Sequence, residues 1–456
     1  MATTGTSAVG TAPKLFNATP DKYTTIGTLL DPTKLDARDY LVKTYGDQGI
    51  TGFLTLTGAV KNAGTADFVQ WYEEGRRHKV IDLNGATFTE TTAFTVTISL
   101  SGIGNNIQLQ DVVMNSTSGE VFICTAASAN SATIVMLKGN NTTATDNTAF
   151  TAATDDLIVL GNMYAEGTDQ PANFFDTTLD ARKNNYMIVK EVFKVTGSQA
   201  TNIGYVNVGN GDYRWYIHGE NEARKRFMDK REMMMLFAEF NAGGTSLASA
   251  TGGVPGSEGY FSAVKKRGIT VSGAEASPID TIAEFDSIII ELDKQGAPSE
   301  YAMYLNRKQS LAIDDMLASG IATQVTAGLP GQFGAFNNNP DMAVQLGFKS
   351  FTRGGYTFHK HDWKLLNDPT LLGASTQYQG AMIPMAMVTD AKTGLKAPAL
   401  ELNYKAANGY SREIEHWVTG SILGFNNSTK DEAVFNYRSE VCLVTRAANQ
   451  HVAITK

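Results

Sequence analysis

Between Thr91 and Ala153 the chain carries only four charged residues, Asp111, Glu120, Lys138 and Asp146, while Thr, Ser, Asn, Ala and Gly punctuate short β-rich runs. Phe94, Val96, Ile98 and Leu100 alternate strictly with polar neighbours, as the buried face of a strand does. Val121–Ile123, Ile134–Leu137 and Leu157–Leu160 repeat the short β-type run, with Thr, Ser, Asn and Gly between them. The short runs between turn-forming residues are strand candidates. The spacing and turns predict a β-barrel over about 85–165, inserted into a longer β-excursion between Trp71-Tyr72 and the run Tyr186–Val195.

Helical periodicity starts later. Glu220/Arg224, Glu222/Arg226 and Lys225/Asp229 stand at i,i+4, and Ala223, Phe227, Met234 and Phe237 make an apolar stripe, predicting a helix over about 220–240 that ends before Gly243-Gly244. The run Met233–Phe237 reads as core packing against a sheet, since Met fills irregular gaps. Ser277-Pro278 reads as a cap and first-turn proline, followed by Ile282, Phe285, Ile289 and Leu292 at helical spacing up to Gly296. Tyr301–Leu305 reads as a strand, Asn306 as the next cap, and Leu311 and Leu317 as the face of a second helix. Short strands return beyond Phe348, with a helical turn expected at Ile414–Val418 and a buried strand at Glu440–Thr445. Ahead of all this, Met1–Gly49 has short apolar groups, Leu29-Leu30 and Tyr40–Val42, separated by Gly and Pro, and reads as an extended arm.

Charge and motifs restrict function. With 46 acidic against 38 basic residues among 456, the net charge of -8 does not favour broad gripping of nucleic-acid phosphates. The N-terminus lacks the basic and apolar regions of a signal peptide, and no apolar run approaches the roughly 20 residues that cross a bilayer. A soluble, cytoplasmically made protein follows as the expectation, in which the Asn-x-Ser/Thr match at Asn17 carries no message and Cys124 and Cys442 are reduced, buried hydrophobes. No phosphate loop, dinucleotide fingerprint, His-Glu-x-x-His or paired Cys-x-x-Cys occurs. His359-Lys360-His361-Asp362 is the best metal candidate, because alternation would put both imidazoles on one strand face; no third ligand is identifiable and a polar strand surface or subunit contact is the plainer reading. His218 with Glu220 could be an acid/base pair, although the start of a helix explains Glu220. Gly58, Gly64, Gly354 and Gly355 read as turns. The expectation is therefore no catalytic residue, no metal and no cofactor. Two basic runs, Arg76-Arg77-His78-Lys79 beside Glu73-Glu74 and Lys265-Lys266-Arg267, suit solvated or intersubunit ion pairs first, and contact with nucleic acid or an acidic partner second.

The order of segments resembles the major capsid proteins of tailed bacteriophages with the HK-ninety-seven-like fold. Phe68–Lys79 resembles the start of that family's extended loop; Gly161-Asn162, Ala165-Glu166-Gly167, Asn184–Ile188 and Phe193–Thr196 look like its return segment in relatives carrying a barrel. Glu222–Arg226 with Arg231–Met234 is similar to the spine helix, and Leu305-Asn306-Arg307 and Glu440–Val444 to the axial module and closing strand. The Thr/Asn/Ala-rich composition is most similar to the crAss-like phage group.

The resemblance implies an α+β fold with an N-terminal arm (1–50), an extended β-loop (51–195) with its inserted β-barrel, a peripheral domain (196–270) with the spine helix, an axial α/β domain (271–400), and a return to the peripheral and axial core with a C-terminal strand (401–456). It also implies a shell subunit forming hexamers and pentamers of an icosahedral head. Portal, scaffold, and auxiliary or decoration capsid proteins would be its partners, with packaged double-stranded DNA on the inner face, bound without sequence specificity, and no membrane. The place would be the virion capsid, after synthesis in the bacterial cytoplasm. Subunit contacts are expected at Trp71, Tyr72, Glu73, Glu74, Arg76, Arg77, Lys79, Lys265, Lys266 and Arg267. Three other readings compete: a host-encoded nanocompartment of the same fold, a metal-assisted hydrolase using His359, His361 and Asp362, and a β-rich tail or decoration protein.

Overall fold

The fold is that of a computed structural model, which describes residues 60–62, 66–76, 78, 80–84, 86–92, 95–100, 107–137, 155–171, 179–201, 215–241, 254–273, 277–326, 350–371, 377–389 and 396–456. The expected arm (1–50), Gly58, Gly64, Arg77, Lys79 and Phe94 lie outside the described residues. The architecture is mixed α and β, rich in strands. The chain divides into two compact units, Trp71–Arg182 and the remainder.

In chain order the first strands are β1 (Val60–Asn62), β2 (Phe68–Glu74), β3 (Val80–Asp82), β4 (Thr87–Thr92), β5 (Thr95–Ser99), β6 (Asp111–Asn115), β7 (Val121–Ser128), β8 (Ser131–Met136), β9 (Asp156–Asn162) and β10 (Leu179–Asn185). β2 and β10 pair as a ribbon through which the chain enters and leaves the unit Trp71–Arg182. Within that unit one antiparallel sheet runs β3-β9-β6-β7-β8-β5-β4. Laid flat, seven strands would hold the edge strands β3 and β4 about 29 Å apart. Only Leu83–Ala86 join them, a link of at most about 18 Å, so the sheet must curl. Its concave face is the core: Val96, Ile98, Leu100, Val113, Phe122, Cys124, Ile134 and Leu157 are buried together. The intervening residues turn out, as where Thr97 and Thr133 face each other across β5 and β8 with their hydroxyls 3.1 Å apart.

The second unit continues with β11 (Met187–Thr196), helix α1 (Gly197–Thr201), the long helix α2 (Trp215–Phe237), helix α3 (Tyr260–Arg267), β12 (Ile269–Ser272), helix α4 (Ile282–Lys294), β13 (Glu300–Leu305), helix α5 (Arg307–Thr326), β14 (Ser350–Arg353), β15 (Tyr356–Asp362), β16 (Tyr378–Pro384), and the small ribbon β17 (Met387–Thr389) with β18 (Lys396–Pro398). After β19 (Leu400–Tyr404) and the ribbon β20 (Ala406–Ala407) with β21 (Tyr410–Ser411) come β22 (Glu415–Gly420), β23 (Glu432–Thr445) and β24 (Val452–Thr455).

β23 organises the first of two sheets. Along Glu432–Val441 it pairs antiparallel with β11; on its other edge it meets β22 through Ala433–Arg438 and β19 through Val441–Thr445. β1 adds a parallel edge to β19. One face of β23, Ala433, Phe435, Tyr437, Val441 and Leu443, packs into a core with Phe227, Met235 and Leu236 of α2 and with Tyr260, Phe261 and Val264 of α3. The α2 stripe differs from expectation: Met234 is 44% exposed, Met235 and Leu236 are buried, and Arg231 occupies the buried position one turn beyond Phe227. The guanidinium donates from Nε to Ser439 Oγ at 3.0 Å, so a polar pair sits inside an apolar face. The ionic partners also differ from the expected ladder. Lys225 reaches Glu222 at i,i+3, while Arg226 and Lys230 turn to Glu191 on β11.

The second sheet, β12-β24-β16-β13-β15-β14, is buried on both faces, and the period of two sorts its residues between two cores. Tyr301, Met303 and Leu305 of β13, Met382 of β16, and Val452 and Ile454 of β24 join Phe285, Ile288 and Leu292 of α4 and Ile313 and Met316 of α5. Ala302, Tyr304, Ala381, Ile383 and Ala453 face the core of α2, α3 and β23. Gly354 and Gly355, with φ of +59° and +84°, form the two-residue turn between β14 and β15, where both positions need the left-handed region. Asn306 caps α5 as expected, its Oδ1 accepting from Gln309 N at 2.7 Å.

Several details depart from the sequence reading. The cap of α4 is Thr281, in a reciprocal capping box with Glu284, and not Ser277. Leu311 is 54% exposed, and Ile313 and Met316 carry the buried face of α5. Ile414–Val418 is not a helical turn: Glu415–Gly420 is strand β22, its register set by β23. The strand around Glu440–Thr445 is the end of a longer one, and β24 follows it.

His451 is fully buried between α3 and β24, with Nδ1 3.3 Å from the Tyr260 hydroxyl. Desolvation of the imidazolium holds its pKa down at about 3. The folded value lies below the ordinary one, so the unfolded chain binds the extra proton first. Stability from this residue is complete above about pH 6.5 and falls as pH drops toward 3, by at most about 1.4 kcal/mol per unit. Urea midpoints of His451→Gln against the parent should show a shallower acid loss in the variant; parallel curves would contradict the assignment. In the curled sheet, Ile98→Ala should cost about 2–5 kcal/mol and Thr97→Ala less than about 1 kcal/mol, read by denaturant unfolding. Equal effects would contradict one-sided burial of β5.

Candidate functional site

Side chains proposed as subunit contacts fall in both units. On β2 the alternation places Trp71 inward, 9% exposed, and Tyr72 outward, 62% exposed. Trp71 Nε1 donates to Glu73 Oε1 at 3.0 Å, and Arg182 of the partner strand β10 lies 3.6 Å from the same carboxylate and 3.1 Å from Asp180. Glu74 and Arg76 are exposed. β2 therefore presents an outward tyrosine and carboxylate beside a tryptophan that is already packed.

Lys265, Lys266 and Arg267 end α3, where cations favour the partial negative charge of a helix C-terminus. Their partners lie on the chain itself. Arg267 forks onto Glu258 at 2.8 and 3.3 Å, and Lys266 reaches Glu239 at 2.7 Å and Glu258 at 3.5 Å. Hydrogen bonds from Lys266 and from Ser262 Oγ hold the Glu239 carboxyl below the usual range. Lys265 is exposed and points away from the core.

The histidine cluster lies on β15, as the alternation predicts, but its members face different neighbours. His361 stacks on Tyr304 of the adjacent strand at 5.2 Å, and burial lowers its pKa. Asp362 pairs with Arg307 at 2.8 Å, and Lys360 reaches Asp314 of α5 in a nearly buried ion pair at 2.5 Å. These contacts fasten α5 to the sheet. Among the described residues no group of three His, Cys, Asp or Glu is placed to hold a metal ion. Glu220 at the start of α2 accepts from the Tyr437 hydroxyl at 3.3 Å and has His416 Nε2 at 3.7 Å. Burial, with Glu220 next to it, pushes Tyr437 up to about 12. The arrangement anchors α2 to β23.

Sequence reasoning missed the buried polar groups that close the first sheet. Glu440 is salt-bridged by Arg412 and Lys405, the latter also reaching Asp67, and Glu401 pairs with Arg446 at 2.8 Å. Asn184 is 1% exposed and ties three segments: it donates to the carbonyls of Glu258 at 3.0 Å and Leu443 at 2.6 Å, and accepts from Glu258 N at 2.7 Å. The available signal was a lone charge inside an apolar run, as at Leu400-Glu401-Leu402. Such a charge enters a core only with a partner, because desolvation is expensive. Both cysteines are buried and free, with thiols pushed up by burial to about 11 for Cys124 and about 12 for Cys442, far from the reactive range.

No protein-family model matches the sequence, and no curated protein matches it. Solved structures do resemble the fold. The capsid of the cyanophage P-SCSP1u is 10% identical, with 93% of each chain covered and a TM-score of 0.40. A structure from Gordonia phage Cozz is 10% identical over 94% of this chain and 92% of that one, with a TM-score of 0.41. The SrpI encapsulin complex of Synechococcus elongatus is 10% identical over 61% of this chain and 77% of that one, with a TM-score of 0.33.

Proposed function

We propose that the chain is the major capsid subunit of a tailed bacteriophage, a self-assembling structural protein and not an enzyme. One observation carries the reading, the order of elements. A curled β unit is inserted through the ribbon β2/β10; a 23-residue helix then lies on the sheet of β11 and β23; a helix-flanked mixed sheet follows. That succession is what the sequence resemblance implies for extended loop, spine helix and axial module.

In this reading, copies meet head to tail and close into hexamers and pentamers, because a heterologous contact that closes on itself makes a ring. Each contact stays weak enough to correct, and many together hold the shell. Arg76 and Lys265 reach neighbouring copies, with Arg77, Lys79 and the outward residues of β2. Lys266 and Arg267, already engaged by Glu239 and Glu258, instead hold α3 in place for them. Portal, scaffold and decoration proteins would join the shell in the bacterial cytoplasm. DNA would face the wall without sequence-specific contact, in keeping with the net charge of -8.

Electron microscopy of the purified chain should show shells, tubes or ring-shaped capsomers. A monodisperse monomer across salt, pH and concentration would contradict the proposal, and shells loaded with a single enzyme in place of DNA would point to a nanocompartment. Lys265→Glu should reduce assembly while lowering the melting temperature by no more than about 4 °C, the cost of an anion at a helix C-terminus. Undiminished assembly would remove Lys265 from the interface while leaving the shell reading intact.

A further inference from the structure

The sheet of β11, β23 and β22 has two unlike faces. Val189 and Val195 of β11 and Ala433, Phe435 and Tyr437 of β23 lie in the core under α2 and α3. The alternate residues point the other way, because successive side chains of a strand take opposite faces. Strand pairing sets these outward residues in rows across the sheet: Lys190 beside Arg438 and Glu415, Val192 beside Asn436 and Trp417, Lys194 beside Val434 and Thr419. They therefore share one surface.

That surface is apolar where it is most exposed. Val192 is 49% exposed and Trp417 40%. One corner is held rigid by Arg438, whose guanidinium lies 4.9 Å from the centre of the Trp417 ring and donates from Nη2 to the hydroxyl of exposed Tyr410 at 3.0 Å. Tryptophan, tyrosine and arginine are the residues that most often dominate binding energy at protein interfaces. The charges around the corner are unequal. Arg438 is met by Glu415, and Glu440, buried at one end, by Arg412 and Lys405. Lys190 and Lys194 are exposed and meet no carboxylate among the described residues; Glu432 lies beyond them, opposite Thr196. Lys190 also stands directly opposite Arg438, and such a like-charged pair costs stability until a negative group joins it.

We infer that Lys190, Val192, Lys194, Tyr410 and Trp417 form a docking face for a separate protein whose contact surface is apolar at its centre and carries carboxylates at its rim. The two lysines select the sign of the partner, since complementary charge steers encounter and like charge opposes it. Two copies of this face brought together would set lysine against lysine. Elsewhere on the larger unit of a second copy, Glu191, Glu258, Glu401 and Asp314 are already met by that chain's own cations. The inference does not rest on the shell reading.

The test titrates the full chain with a fluorescent peptide that alternates leucine and glutamate, with its leucine–lysine counterpart as control. The parent should bind the glutamate peptide about tenfold or more tighter than does either Val192→Ser or the reversal Lys190→Glu/Lys194→Glu, and the reversal should take up the lysine peptide instead. The bound glutamate peptide should protect Trp417 and Tyr410 in hydroxyl-radical footprinting. Equal affinity for the parent and either variant, equal binding of the two peptides to the parent, or binding without protection of Trp417 would overturn the face. Protection of Trp417 in the parent alone would overturn it too: protection that grows with concentration gives the face to a second copy, and protection that does not gives it to the chain itself. Thermal melts check that the variants fold; should Val192→Ser fail, the lysine reversal decides, because exposed positions tolerate such changes.

Discussion

The larger unit depends on one strand. β23 is long enough to hold β11 along most of one edge and two separate strands, β22 and β19, in succession along the other. Segments as distant in the chain as Met187–Thr196 and Leu400–Tyr404 share a sheet only because both pair with it. Its inward face supplies the surface on which α2 and α3 pack, and through that core the opposite face of the second sheet is covered. Losing β23 would leave those apolar faces without partners, and no local propensity would replace them.

Charge plays two separate parts. Inside the larger unit, nearly buried carboxylates close onto cations: Glu440 with Arg412 and Lys405, Glu401 with Arg446, Glu258 with Arg267, Asp314 with Lys360. Such pairs stabilise little in net terms, since desolvation offsets most of their attraction, but an unpaired member would be costly, so they favour a single register. In the curled unit the formal charges are unbalanced, and one of the acids, Asp155, is buried against Asn115.

Much of this was legible in the sequence. Strict alternation marked β5, a short continuous apolar run marked the two-faced strand β13, and helical spacing marked α2, α4 and α5, because burial imposes those patterns directly. Finer assignments failed where tertiary packing chose among equivalent residues. Three consecutive methionines cannot say which one faces the core, and Met235 won over Met234 because Arg231, one turn earlier, already turns inward to Ser439. Ile414 and Val418 fit a helical turn by spacing alone, yet pairing with β23 makes Glu415–Gly420 a strand. Of the candidate contacts, the basic run Lys265–Arg267 was visible as a run. That two of its members are held by Glu239 and Glu258 was not, since the partners come from another loop and helix end. Asn184 was illegible for the same reason: its acceptor on Leu443 lies 259 residues away.

The central claim is that β23 is the strand on which the larger unit is built. Native-state amide hydrogen exchange on the full chain tests it most directly. The account predicts that amides of Val434–Val444 rank among the slowest in that unit, well behind the edge strands β12 and β14 in their rate of exchange. Exchange in β23 as fast as in those edges, with the second sheet still protected, would contradict it.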